Sequence, residues 1–153
     1  MNVSKDSEEL FAFFNAHDVR FLIVGAYAVA FHARPRFTKD IDVFLEPSDE
    51  NARRVLAALE EFGFGGLGLQ VADFAAVGQV IQLGFPPNRI DLLTTIEGVD
   101  FSTAWQGRAP GTYGAQAVNY LGRTELIHNK QKIGRLQDLL DLEALELPRE
   151  GTP

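Results

Sequence analysis

The chain contains no cysteine, so it can build neither a disulfide framework nor a thiolate metal site, and any bound metal must rest on oxygen or histidine ligands. No apolar stretch reaches the roughly 18 residues of a membrane-spanning helix. The N-terminal MNVSKDSEELFAFF is acidic and lacks the basic flank and apolar run of a secretory signal. A cytoplasmic protein with no membrane partner is therefore expected. Basic residues are in the minority: 14 Lys and Arg against 21 Asp and Glu give a formal charge of -7. That balance argues against a broad surface for coating nucleic acid, because such binding neutralises many phosphates at once. A local basic pocket stays compatible with it. The three histidines show no H-x-x-x-H or His/carboxylate ligand spacing, so zinc is not expected. Neither G-x-S-x-G nor a P-loop occurs.

What is present is enough apolar sequence, 46% of 153 residues, to bury a real core in one domain. Residues 1–147 are predicted to form that domain and 148–153 a flexible tail. Asp6 with Glu9 reads as a capping-box-like start of a helix carrying Leu10, Phe13 and Phe14 and ending near His17-Asp18. Phe21 to Val24 reads as a buried strand, Gly25 as a turn, and Ala26 to Ala33 as a helix stopped by Arg34-Pro35. Ile41 to Leu45 is the next strand. Pro47-Ser48 opens a longer helix through about Phe62, with Val55, Leu56 and Leu59 inward, and the run Gly63 to Gly68 ends it in a loop. Val80 to Leu83 and Arg89 to Thr94 are strands joined by a hairpin-sized connection. Ala115 to Tyr120 is a weaker strand, and Arg123 to Lys132 and Leu136 to Leu147 are helices separated at Gly134. Trp105, Tyr113, Tyr120 and most phenylalanines read as core. The sum is an α/β or α+β fold, a mixed sheet flanked by helices.

The chemistry concentrates in Asp40-Ile41-Asp42. Two acids one residue apart on a strand share a face while Ile41 and Val43 fill the other. Asp91, in Arg89-Ile90-Asp91-Leu92-Leu93, repeats the design. If the two strands are neighbours, three carboxylates meet at one sheet edge, a donor set suited to Mg²⁺ or Mn²⁺ and to clamping a triphosphate. The bland alternative is a solvated strand edge, which a lone D-x-D more often is. Against it, three acids inside apolar strands are costly to bury unless they are paired or metal-bound. Gly25-Ala26 sits where a strand meets a helix N-terminus, a place that favours phosphate, though an ordinary turn fits as well. Arg34, Arg36, Thr38 and Lys39 precede Asp40 and could contact phosphates, offset carboxylate repulsion or simply face solvent. Phe31, Phe37 and Phe85 are candidates for stacking on a base, and Tyr27 for accepting a modification.

Val24-Gly25-Ala26, a gap of thirteen residues and Asp40-Ile41-Asp42-Val43, with Ile90-Asp91-Leu92-Leu93 later, resemble the nucleotidyltransferase superfamily. Its pattern is a hydrophobic-G-[G/S] turn followed by D-h-[D/E]-h and a third acid. The likeness is greatest to the small bacterial AbiEii-like and MNT-like branch of toxin–antitoxin pairs. The R-x-T-x-D-I-D and K-x-x-x-G-R-x-x-D segments of that branch resemble Arg36 to Asp42 and Lys130 to Asp138, and the likeness covers about residues 20 to 145. It implies a nucleotidyltransferase-like sheet, Asp40 and Asp42 as metal ligands, and Asp91 as third ligand or general base. It further implies a nucleoside triphosphate substrate held by Gly25, Ala26, Arg36, Thr38 and Lys130, with Asp138 near Lys130. The acceptor would be an RNA such as tRNA, a protein or a small molecule, and a toxin or antitoxin partner belongs to the same implication. Ala26 departs from the usual second glycine or serine and removes any hydroxyl contact. Two rivals remain: an antitoxin-like module that binds a partner with weak catalysis or none, and a degenerate enzyme that binds nucleotide without turnover. Without the resemblance, Arg135, Asp138 and Asp141 read as surface pairs of little energetic weight on a solvated helix. With it, Lys130→Ala is expected to weaken nucleotide binding and leave the fold intact.

Overall fold

A computed structural model describes residues 3–35, 38–85 and 87–146. Arg36, Phe37 and the predicted tail 148–153 lie outside the described residues. Seven α-helices and six strands are described, in the order α1 (Lys5–Ala16), β1 (Phe21–Val24), α2 (Gly25–His32), β2 (Asp40–Leu45), α3 (Asp49–Leu59), α4 (Val71–Ala75), β3 (Val80–Leu83), β4 (Arg89–Leu93), α5 (Phe101–Gln106), β5 (Ala109–Tyr113), β6 (Gln116–Tyr120), α6 (Arg123–Ile133) and α7 (Leu136–Glu146). The fold is α+β, an open mixed sheet with helices.

The strand order is β3-β4-β2-β1-β6-β5. β1/β2, β3/β4 and β5/β6 are antiparallel, whereas β2/β4 and β1/β6 are parallel. Parallel neighbours need long connections, and here these carry the helices. The central strands are the most apolar. All four residues of β1 are buried, as are Ile41, Val43, Phe44 and Leu45 of β2. Phe11 and Phe14 of α1 pack on Phe21 with ring centroids 5.3 and 5.2 Å apart.

The start of α1 differs from the sequence expectation. Ser4, not Asp6, is the N-cap, its hydroxyl accepting from the Ser7 N–H. The inward face is Ser7, Leu10, Phe11 and Phe14, an i, i+3, i+4, i+7 stripe that leaves Phe13 half-buried against Phe62. α3 begins at Ser48 as expected, its hydroxyl accepting from the Asn51 N–H. The helix then breaks in the glycine run, as expected, where Gly63 leaves helical geometry. A wide turn over Glu60–Phe64 and a tight one over Gly65–Leu67 occupy the glycine run, with Gly63 at φ 106°. That run spells G-x-G-x-x-G, but it follows a helix rather than a strand and so lacks the dinucleotide-binding context. α4, α5 and β5 were not legible, being five, six and five residues long; β5 also carries Pro110 and Gly111, poor strand formers that an edge position tolerates. Trp105 is only half-buried, with Arg108 4.2 Å above its ring. Among the described residues no helix is long and apolar enough to cross a membrane.

Candidate active site

The parallel pairing of β2 with β4 sets the three acids side by side. In its register Asp42 lies opposite Asp91 and Asp40 opposite Arg89. Side chains at i and i+2 share a face, so Asp40, Asp42, Arg89 and Asp91 all project from the same side of the sheet. β1 flanks β2 on its other edge, with Val24 opposite Asp42. The chain turns at Gly25 immediately beyond that pair, and Gly25 has φ +63°, the left-handed region. A Cβ on Gly25 would stand 2.4 Å from the Asp42 carboxylate oxygen Oδ2. Glycine is therefore required twice, by the backbone and by the acid that rests against it.

The electrostatics follow from this crowding. Burial first, then the charge of Asp91 and a hydrogen bond to it, and then Asp40, push the Asp42 carboxyl up to about 6, while Lys130 pulls it down. Asp91 is 8% exposed. The Arg89 guanidinium grips it with two bonds, Nε to Oδ1 at 2.9 Å and Nη2 to Oδ2 at 3.1 Å, and its Nη2 also donates to Asp40 Oδ2 at 2.7 Å. The other Asp40 oxygen, Oδ1, is buried and has no hydrogen-bond partner among the described residues. Thr38 steadies the entry to β2, its hydroxyl donating to the Asp40 carbonyl at 2.9 Å and receiving the Asp40 N–H at 3.3 Å.

A second polar cluster lies on α6 and α7, which pack against α2. Gly134, at φ +68°, ends α6. Lys130 and Asp138 thus belong to two helices meeting at a turn, not to one unbroken helix. The Lys130 ammonium is held by Asp138 at 3.0 Å and Asp141 at 3.2 Å. Arg135 adds an Nε bond to Asp138 at 2.8 Å and its own backbone N–H at 3.2 Å. Asp138, Asp141 and Lys130 are 0%, 3% and 3% exposed. Burial raises the Asp138 carboxyl, but the Arg135 and Lys130 bonds outweigh it and hold it below the ordinary range. One sequence expectation is corrected here: Asp138 and Asp141 are not solvated surface pairs but buried partners of Lys130.

Of the other residues singled out in the sequence, Ala26 is buried in the first turn of α2. Arg34 and Lys39 are exposed. Phe31 is stacked on Tyr120 at 4.2 Å, whereas Phe85 is 86% exposed in the β3–β4 connection, at the sheet end where Arg89 and Asp40 stand. Tyr27 is raised to about 12 by burial and by Tyr113, which makes it harder to ionise. Arg89 is the residue that sequence reading passed over. Its signal was available: Arg89 and Asp91 alternate in an otherwise apolar strand, which puts both on one face.

The donor set suits a divalent cation. Three carboxylates supply hard oxygens, and Asp40 Oδ1 is a buried oxygen with no partner among the described residues. As the side chains stand, no three His, Asp or Glu among the described residues close around one point, and Arg89 holds Asp40 and Asp91. The sequence matches no protein-family model and no curated protein. The nucleotidyltransferase resemblance therefore stands on its short motifs alone.

Proposed function

We propose that this chain is a divalent-metal-dependent nucleotidyltransferase, moving an NMP from a nucleoside triphosphate to a hydroxyl acceptor. The observation that carries this reading is the Asp42/Asp91 pair on adjacent parallel strands, with Asp40 beside it and Gly25 against it. Asp40, Asp42 and Asp91 would hold the metal, Mg²⁺ or Mn²⁺, which when bound offsets phosphate charge and favours the deprotonated form of the attacking hydroxyl. In the transfer the acceptor oxygen bonds to the α-phosphorus, the bond from that phosphorus to the bridging oxygen of the β-phosphate breaks, and pyrophosphate leaves. Asp91 stands to accept the hydroxyl proton. The turn at Gly25-Ala26 offers backbone N–H groups at a helix start to the phosphates. Lys130, locked by Asp138 and Asp141, contributes a fixed positive field toward Asp42 rather than a swinging phosphate ligand. Alignment and charge placement supply the catalysis.

A second reading is favoured by one feature: Arg89 already neutralises two of the acids, as a nucleotide-binding or partner-binding module without turnover would tolerate. The two readings separate in one assay. Purified protein is incubated with Mg²⁺ and each of the four α-labelled NTPs, with total RNA or cell lysate as acceptor, beside Asp42→Asn. Label passing to a macromolecule with wild-type protein alone supports transfer. Nucleotide binding without label transfer supports the second reading, and label transfer equal in both proteins refutes the assignment of Asp42.

A further inference from the structure

Among the described residues Arg89 makes three hydrogen bonds, and all of them go to the acid cluster. They engage both oxygens of Asp91 and one of Asp40, the same oxygens that a cation at this edge needs. A guanidinium and a divalent cation cannot share them, since both are electrophiles for one set of lone pairs. The arrangement is also incomplete as an ion-pair network. Among the described residues Asp40 Oδ1 has no partner and Arg89 makes no hydrogen bond to Asp42, so one guanidinium does not discharge a three-carboxylate site. Lys130 and Arg135 also lie within electrostatic reach of Asp42, but each is held by Asp138, and Lys130 by Asp141 too. Arg89 differs from both, because its partners are the prospective metal ligands. Whatever takes those ligands sets Arg89 free.

We propose, resting on the metal-site reading above, that Arg89 is the resident counter-cation of this site: it occupies Asp40 and Asp91 in the metal-free protein, a divalent cation must displace it, and the freed guanidinium then binds the phosphates of the nucleotide. Arginine suits both states, because its planar fork matches a carboxylate and a phosphate equally well. The exchange has two consequences. Metal binds more weakly than three carboxylates would otherwise allow, and nucleotide binds more tightly once metal is present.

The test is a Mn²⁺ titration followed by electron paramagnetic resonance, without nucleotide, on wild type, Arg89→Met and Arg89→Lys. With the competitor removed, Arg89→Met should bind Mn²⁺ about tenfold tighter than wild type, and ATP at saturating Mg²⁺ about tenfold more weakly, as expected for losing one charge-assisted contact. Arg89→Lys, which keeps the charge without the fork, should fall between the two. Equal Mn²⁺ affinity in wild type and Arg89→Met overturns the competition while leaving the metal site standing. Tighter Mn²⁺ with unchanged ATP affinity overturns the transfer to phosphate. No Mn²⁺ binding by either protein, with or without ATP, overturns the metal site and this proposal together. A measurement on the wild type needs no folded variant: the Arg89 Nε–H resonance should shift and exchange faster with water as diamagnetic Mg²⁺ is added. A signal unchanged through Mg²⁺ saturation refutes displacement.

Discussion

Replacing Asp42 with asparagine should stabilise the metal-free protein, and by an amount that depends on pH. In the folded chain the Asp42 carboxyl holds its proton up to about 6, against 3.8 for an ordinary aspartate. The folded state is therefore the better proton binder between these values, and folding stability attributable to Asp42 falls as pH rises from about 4 through 6. Above about pH 7 both states are ionised and the loss is complete. A shift of about two units corresponds to about 3 kcal/mol, and in a chain of this length each kcal/mol moves Tm by about 2–4 °C. The substituted amide does not titrate, and it can still donate to Asp91. Paired thermal melts in low salt with a chelator, at about pH 3.5, 4.5, 5.5, 6.5 and 7.5, isolate the effect because they span the window between the two values. The Tm of Asp42→Asn minus that of wild type should grow by about 5–10 °C across the series, nearly all of it by about pH 7. Saturating Mg²⁺ at the highest pH should then raise wild type, by about 2.7 kcal/mol at one hundred times Kd, and leave the variant almost unmoved. A difference that stays constant across the whole series refutes the argument, because Asp42 would then be an ordinary carboxylate unaffected by Asp91 and Asp40.

Three other outcomes follow from the same geometry. Gly25→Ala places a side chain at positive φ, costing about 1–2 kcal/mol, and drives a methyl into Asp42; melts should show that loss and calorimetry a loss of Mg²⁺ affinity, and a variant with wild-type values for both removes Gly25 from the site. Lys130→Ala should lower stability by about 1–3 kcal/mol, because Asp138 and Asp141 each lose a buried charge-assisted bond while Arg135 still holds Asp138, read as a drop in the urea midpoint; a change below about 0.5 kcal/mol would mean that water reaches the cluster. Phe85→Ala should change stability by no more than about 0.5 kcal/mol, while weakening nucleotide binding by the equivalent of about 1–3 kcal/mol if the ring stacks on the base; unchanged nucleotide affinity in a binding titration would make Phe85 a bystander.

How much of this could be read from the chain depends on the range of the interaction concerned. Strands β1 to β4 were legible because their signals are local: four consecutive apolar residues at Phe21–Val24, alternation through Asp40–Leu45, and a five-residue connection before Arg89. The break after α3 was legible too: Gly63 leaves helical geometry at the start of the glycine run, while Phe62 and Phe64 on either side of it pack against the core. β5 was invisible because Pro110 and Gly111 oppose a strand locally, and it forms only because β6 provides five paired positions. The Ser4 cap was missed for a smaller reason: Asp6 and Ser4 are both good capping residues, and which one is used depends on where Leu10, Phe11 and Phe14 meet the sheet.

By itself the sequence determined that Asp40 and Asp42 share a face, that Arg89 and Asp91 share another strand's face, and that no sulfur ligand from cysteine takes part. These are consequences of side-chain alternation and composition, which hold for any strand whatever its neighbours. The tertiary structure decided that β4 lies next to β2 in parallel, in the register that puts Asp91 opposite Asp42 and Arg89 opposite Asp40, and that Lys130, Asp138 and Asp141 are buried together. Register and burial are set by which apolar faces pack between segments far apart in the chain, and a shift of one position would have turned Asp91 to the opposite side of the sheet. The acids are written in the chain; their meeting, and the arginine that stands among them, belong to the fold.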